Sequence, residues 1–170
     1  MSTSRPAEPE PASGSASLAR VVADAARRGL EIAPVRLAEG TRTAEDAARA
    51  CGCAVDQIVK SIVFRARGSE RHLLFLTAGG NRIDPAKAAA LAGAPLEKAD
   101  AASIRAATGF AIGGVSPLGH IRPIETWLDP KVLDFGEIWA AAGRSSAADP
   151  RASPSTARSS RRCGRARRSA

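Results

Sequence analysis

A lysine, Lys60, stands inside "DQIVKSIVFR" (56–65), a run otherwise suited to a buried strand. Side chains alternate along a strand, so Lys60 shares a face with Ile58, Ile62 and Phe64, while Ser61 points the other way. An ammonium there loses hydration worth several kcal/mol unless an anion or an opening compensates it. Two readings stand: a lysine at a sheet edge whose head reaches water, or a partly desolvated cation set to meet a phosphate or a polarised carbonyl. The second candidate is the loop "GGVSPLG" (113–119). Gly113 and Gly114 let the backbone turn sharply and bring its amides close to a ligand. Pro117 biases Ser116 towards an extended conformation and stiffens the loop. Such a segment is suited to presenting N–H groups to a carbonyl or oxyanion. An ordinary tight connection has the same composition. His120 follows Ser116 by four residues, the residue types of a nucleophile and its base, but outside a helix this spacing guarantees no hydrogen bond. His72 opens a strand and is expected at the surface.

These residues need elements to hold them. Ser17 can cap a helix whose apolar positions Leu18, Val21, Val22, Ala25 and Ala26 follow the helical period, with Gly29 ending it. A strand near 31–37 follows. Thr43 and Asp46 make a short version of a capping box, opening a helix that Gly52 stops. The Lys60 strand and "HLLFLTA" (72–78) are joined by the polar link "RGSER", which predicts an antiparallel hairpin. Asp84, Pro85 and Gly93 punctuate another helix. A short one over 100–108 closes at Gly109. "RPIETWLD" and "EIWAAAG" read as extended. The irregular mixture predicts an α+β (mixed α/β) fold, a single compact domain with a mixed β-sheet surrounded by helices.

The net charge of +8 belongs to the end of the chain: residues 144–170 carry eight arginines and one aspartate, leaving only +1 for the other 143 residues. The charge therefore says little about the partner of the domain over 17–143. Residues 1–16 are polar and Pro-rich, and are expected to be disordered. Residues 144–170 contain no Leu, Ile, Val, Phe or Met and are likewise expected to build no core element. The segment reads either as a basic RNA-binding tail or as an out-of-frame translation of a GC-rich gene. The second is favoured by the resemblance given below. Cys51, Cys53 and Cys163 lack paired metal spacing, which points to a reduced, cytoplasmic setting and no metal. No apolar run approaches the roughly 20 residues of a spanning helix, so no membrane partner is expected. No P-loop, dinucleotide fingerprint or zinc motif is present, and no cofactor is expected.

In order along the chain, "VKSIVF", "LLFLTAGGNRID…KAAALAGA" and "TGFAIGGVSPLGH" resemble the free-standing aminoacyl-tRNA deacylases of the YbaK/EbsC type, relatives of the editing domain inserted in bacterial prolyl-tRNA synthetases. The resemblance runs from about Leu18 to Gly143. It implies trans-editing: hydrolysis of the ester between a wrong amino acid and the tRNA 3′ end. Its implied partners are mischarged aminoacyl-tRNA and an aminoacyl-tRNA synthetase. Lys60 matches the family's lysine, Gly113 and Pro117 the ends of its G-x-x-x-P loop, and Thr43 the threonine of its helix start, here "TAEDAA". On this reading Lys60 anchors a phosphate or polarises the ester, with Gly114, Val115 and Ser116 around the carbonyl. Thr43, Ser61 and His120 complete the substrate-binding set, and water is the nucleophile. The family continues beyond the "EIWAAAG"-like segment with an apolar strand and a helix, which this chain lacks, and no tyrosine is present. Two other readings stay open: a non-catalytic tRNA- or protein-binding module of this fold, and a Ser116/His120 hydrolase of small esters.

Overall fold

The computed structural model describes residues 15–37 and 43–143, with two strand segments, Glu10–Pro11 and Ser155–Ser160. Each helix begins where a short polar side chain can satisfy free backbone amides. Ser15, rather than the expected Ser17, caps α1 (Ala16–Arg27) by accepting from the Leu18 amide. Ser17 lies two residues further in and its hydroxyl meets that of Ser15 at 2.9 Å. Thr43 and Asp46 form the expected reciprocal box at the start of α2 (Ala44–Cys51), which Gly52 ends in the left-handed conformation. Asp84 and Pro85 open α3 (Pro85–Ala92), and Asp100 opens α4 (Ala101–Thr108).

One mixed sheet collects the strands β1 (Glu10–Pro11), β2 (Ile32–Arg36), β3 (Ile58–Ala66), β4 (His72–Ala78), β5 (Leu96–Lys98), β6 (Glu125–Leu128), β7 (Glu137–Ala141) and β8 (Ser155–Ser160). Its order is β1-β2-β8-β7-β3-β4-β6, with β5 also paired to β3. The predicted hairpin is present, with Lys60 opposite Thr77 and Val63 opposite Leu74. β7 and β6 join it in parallel, on the β3 and β4 sides. Leu73 and Leu74 are both fully buried, so β4 is covered on both faces.

The two faces carry different cores. Val63 and Leu74 pack with Leu18 and Val21 of α1, Ile104 of α4, Phe110 and Val115. On the opposite face Phe64, Leu73 and Phe75 pack with Ala88 and Ala92 of α3, and Ile58 with Trp139 and Ala48 of α2. Lys60 belongs to this second face.

The end of the chain contributes one further strand. Ser155–Ser160 is a strand between β2 and β7, so β7 is not left with an open edge. Ladder pairing is made by backbone groups and needs no apolar side chains, so an Arg/Ser/Ala segment can fill a slot that a core-building argument denies it. Glu10–Pro11 pairs with β2 in the same way, inside the segment expected to be disordered. The remainder of both terminal segments, and Cys163, lie outside the described residues. Among the described residues no helix is long and apolar enough to cross a membrane.

Candidate functional site

The Lys60 ammonium ends on a backbone carbonyl, Asn81 O, at 2.5 Å. Among the described residues it forms no ion pair. Its acceptor is held in place from behind: the Asn81 side-chain amide donates to Asp129 Oδ2 at 2.7 Å. The same oxygen accepts from Thr77 Oγ1 at 3.2 Å and from the Ala78 amide at 3.1 Å, while Oδ1 takes the Lys131 amide at 3.0 Å. Burial alone would raise the Asp129 pKa, but these donors outweigh it and the net shift is downward. The carboxylate is thus kept charged, and it fixes the turn that receives the lysine.

The start of α2 stands near the same cation. The Glu45 carboxyl is held below its usual range by its own backbone amide first, then by the Thr43 hydroxyl, with the Lys60 charge adding to the effect. Thr43 spends its hydroxyl largely on the cap, accepting from the Asp46 amide at 3.1 Å.

The loop forms on the other face of the sheet. Gly113 takes φ +78°, a conformation that favours glycine, and the Gly114 amide closes a turn onto Ala111 O at 3.0 Å. Val115 and Ser116 are buried, at 4% and 1% exposure. Among the described residues neither of their amides donates to an acceptor, an uncommon condition for buried N–H groups. The Ser61 hydroxyl, on the same face as Val63, is also buried without a partner among the described residues. From Gly119 onwards the loop is clamped to α1. The Gly119 amide donates to Asp24 Oδ2 at 2.9 Å, the leading cause of the lowered Asp24 pKa. Arg20 Nε donates to Gly119 O at 3.1 Å. A Cβ on Gly119 would meet the Val21 amide nitrogen at 2.7 Å, so only glycine lets the two backbones approach this closely.

Ser116 and His120 do not form a nucleophile–base pair. His120 Nε2 meets Ser116 O, the backbone carbonyl, at 2.7 Å. The Ser116 hydroxyl accepts instead from the Leu118 amide at 3.2 Å. Burial lowers the His120 pKa, and its ring packs edge-on against Phe110.

The sequence-predicted residues therefore fall into two groups: Lys60 with Thr43 on one face of β3, and Ser61 with the 113–120 loop on the other. β3 is the element common to both groups. β3 pairs with β7 only at Ile58 and Val59 and with β5 only at Phe64–Ala66. Across Lys60–Val63 that edge has no ladder partner among the described residues, a gap in the ladder from which Lys60 and Ser61 leave on opposite faces. Sequence reasoning missed Asn81, Asp129, Glu45 and Asp24. The first two sit in "GGNR" and "LDPK", where turn-forming residues carry no sign of their partner. Cys51, the last residue of α2, and Cys53 just beyond it pack with Ala48, Ile58 and Trp139, and burial pushes the Cys51 thiol up to about 12. No cluster of three or more metal-ligating side chains occurs among the described residues.

Comparison with known proteins adds an independent line. A family model described as "Aminoacyl-tRNA editing domain" matches residues 38–148. The uncharacterized protein YwhH of Bacillus subtilis (strain 168) is 32% identical over 101 residues, covering 59% of this chain and 64% of that one. The chain thus spans less than two thirds of that relative's length. Among solved structures, a proposed trans-editing enzyme for prolyl-tRNA synthetase is 42% identical with a TM-score of 0.72, covering 87% of this chain and 88% of the other. A scaffold used in computational epitope grafting is 39% identical with a TM-score of 0.71, covering 86% and 88%. A hypothetical protein, APE2540, shares the fold at 23% identity and a TM-score of 0.69, covering 82% and 87%.

Proposed function

The chain belongs to the aminoacyl-tRNA editing domain family, and we propose that it is a trans-editing deacylase, hydrolysing the ester that joins a wrongly attached amino acid to the tRNA 3′ end. The observation that carries this reading is the Lys60 ammonium, partly buried, in no ion pair among the described residues, and set where β3 has no neighbour on its β7 side. Such a cation can still take a closely paired anion, and the phosphate next to the terminal adenosine supplies one.

In the reaction, water adds to the ester carbonyl carbon and the carbonyl oxygen becomes an oxyanion. The Val115 and Ser116 amides are the donors available to it from the loop. The bond to the ribose oxygen then breaks, that oxygen takes the proton released by water, and the free amino acid leaves. The substrate's own 2′-hydroxyl orients the water. No side-chain nucleophile is required, because an aminoacyl ester is already activated and positioning with electrostatics suffices. The likeness to a proposed trans-editing enzyme for prolyl-tRNA synthetase supports tRNA mischarged by that synthetase as the substrate class. The place of action is the cytoplasm, where charged tRNA is.

The test is deacylation of alanyl-, cysteinyl- and seryl-tRNA by the parent and by Lys60→Ala. We expect the parent to hydrolyse at least one of them and the variant to lose about 10²–10³-fold in kcat/KM. A folded parent that hydrolyses none would sink the enzyme reading and leave a binding module of the same fold.

A further inference from the structure

Three arginines, Arg27, Arg28 and Arg122, surround a depression of about 510 Å³ beside the loop, whose lining also includes Asp24, Pro117 and His120. Resting on the editing reading above, we propose that this surface docks the phosphate backbone of the tRNA acceptor stem. It would hold the duplex while the single-stranded 3′ end passes over Pro117 towards β3.

Charge is the first argument. Arg27 and Arg28 project from the end of α1 with side chains 76% and 61% exposed, and they share one carboxylate, Asp24. The second oxygen of that carboxylate is taken by the Gly119 amide. Arg122 is exposed and forms no ion pair among the described residues. With His120 held neutral by burial, the depression keeps a net charge of about +2 in a domain whose overall balance is near zero. Guanidinium forks match phosphate oxygens two at a time.

Continuity is the second. Pro117 and His120 line the depression and also belong to the loop whose amides face the ester, so a duplex lying here delivers its end to that loop. The neighbouring arginines divide sharply by role. Arg20 is consumed by carbonyls, Gly119 O at 3.1 Å and Gly109 O at 2.8 Å, and Arg71 by Glu125 at 2.6 Å. Arg27, Arg28 and Arg122 keep donors free for a ligand.

The experiment compares the parent, Arg122→Gln (which breaks no hydrogen bond or ion pair among the described residues) and the triple variant Arg27→Gln/Arg28→Gln/Arg122→Gln. Substrates are full-length alanyl-tRNA and a short aminoacyl ester of adenosine that lacks the stem. Affinity for uncharged tRNA is followed in parallel by fluorescence anisotropy at several salt concentrations. We expect the triple variant to raise KM for full-length substrate about tenfold and to reduce the salt slope by about two, with Arg122→Gln accounting for about one. Hydrolysis of the short ester should be unchanged. Parent-like KM and salt slope in the triple variant would overturn the proposal, and would leave an acidic protein as the better partner for the surface. Equal loss on the short ester would also overturn it, since the arginines would then be acting through the fold. If the parent hydrolyses neither substrate, the editing reading fails, and the anisotropy series alone still decides whether the arginines hold RNA.

Discussion

Replacing Asp129 by alanine tests whether one carboxylate both stabilises the sheet edge and holds the acceptor of Lys60. Its two oxygens receive four donors, from Ala78, Thr77, Asn81 and Lys131. Two of these cannot reach water once the carboxylate is gone: Ala78 is 0% exposed and Thr77 4%. A stranded buried donor costs about 1–3 kcal/mol. The exposed Lys131 amide and half-buried Asn81 side chain recover part of their bonds from solvent. The expected loss is therefore about 2–4 kcal/mol. With a urea slope of about 2 kcal/mol/M the midpoint falls by about 1–2 M. Because the folded-state pKa is lowered, the parent's share of this stability is present above the ordinary Asp value and is lost as pH falls through the folded one. The difference between parent and variant should therefore shrink below about pH 4. The freed Asn81 turn also loosens the Lys60 head, so kcat for deacylation should fall about tenfold while the protein is still folded. A change in stability under ~0.5 kcal/mol, or unaltered kcat in a variant with the expected midpoint shift, would refute the linkage.

Other outcomes follow from the same geometry. Ser116→Ala should retain deacylation to within a few-fold, since its hydroxyl only receives the Leu118 amide; complete loss in rate assays would restore the Ser–His hydrolase. Gly119→Ala, forced to φ +73° with its Cβ at 2.7 Å from the Val21 nitrogen, should cost about 2–4 kcal/mol in thermal or urea unfolding. His120 has a folded pKa lowered mainly by burial. Its neutral form is therefore favoured in the fold, and stability falls as pH drops below about 6.5. Urea midpoints at pH 8 and 5.5 should converge in His120→Gln.

Local signals in the chain carried most of the elements. The cap at Thr43, the Asp84-Pro85 start and the Gly52, Gly93 and Gly109 stops are each visible because capping is satisfied within a few residues. The hairpin was legible because its two apolar runs are separated by a short polar link. β5 and the two 3-10 turns at Val55–Gln57 and Pro130–Asp134 were not foreseen. β5 is three residues long and exists because β3 offers it an edge. β8 makes the same point more strongly, since its composition argues against a core while its slot between β2 and β7 requires only a backbone.

The sequence by itself determined the limits of α2, α3 and α4, the β3–β4 pairing, the isolation of Lys60 on an apolar strand and the stiff glycine–proline loop, all properties of residues near one another in the chain. Only the tertiary structure decided that Lys60 and the loop approach from opposite faces of one strand, that Asp129 holds the lysine's acceptor across 48 positions from Asn81, and that Ser116 turns its carbonyl, not its hydroxyl, to His120. These outcomes rest on hydrogen bonds and packing between distant segments. Such partners are chosen by the closing of the sheet and the docking of α1, not by spacing along the chain.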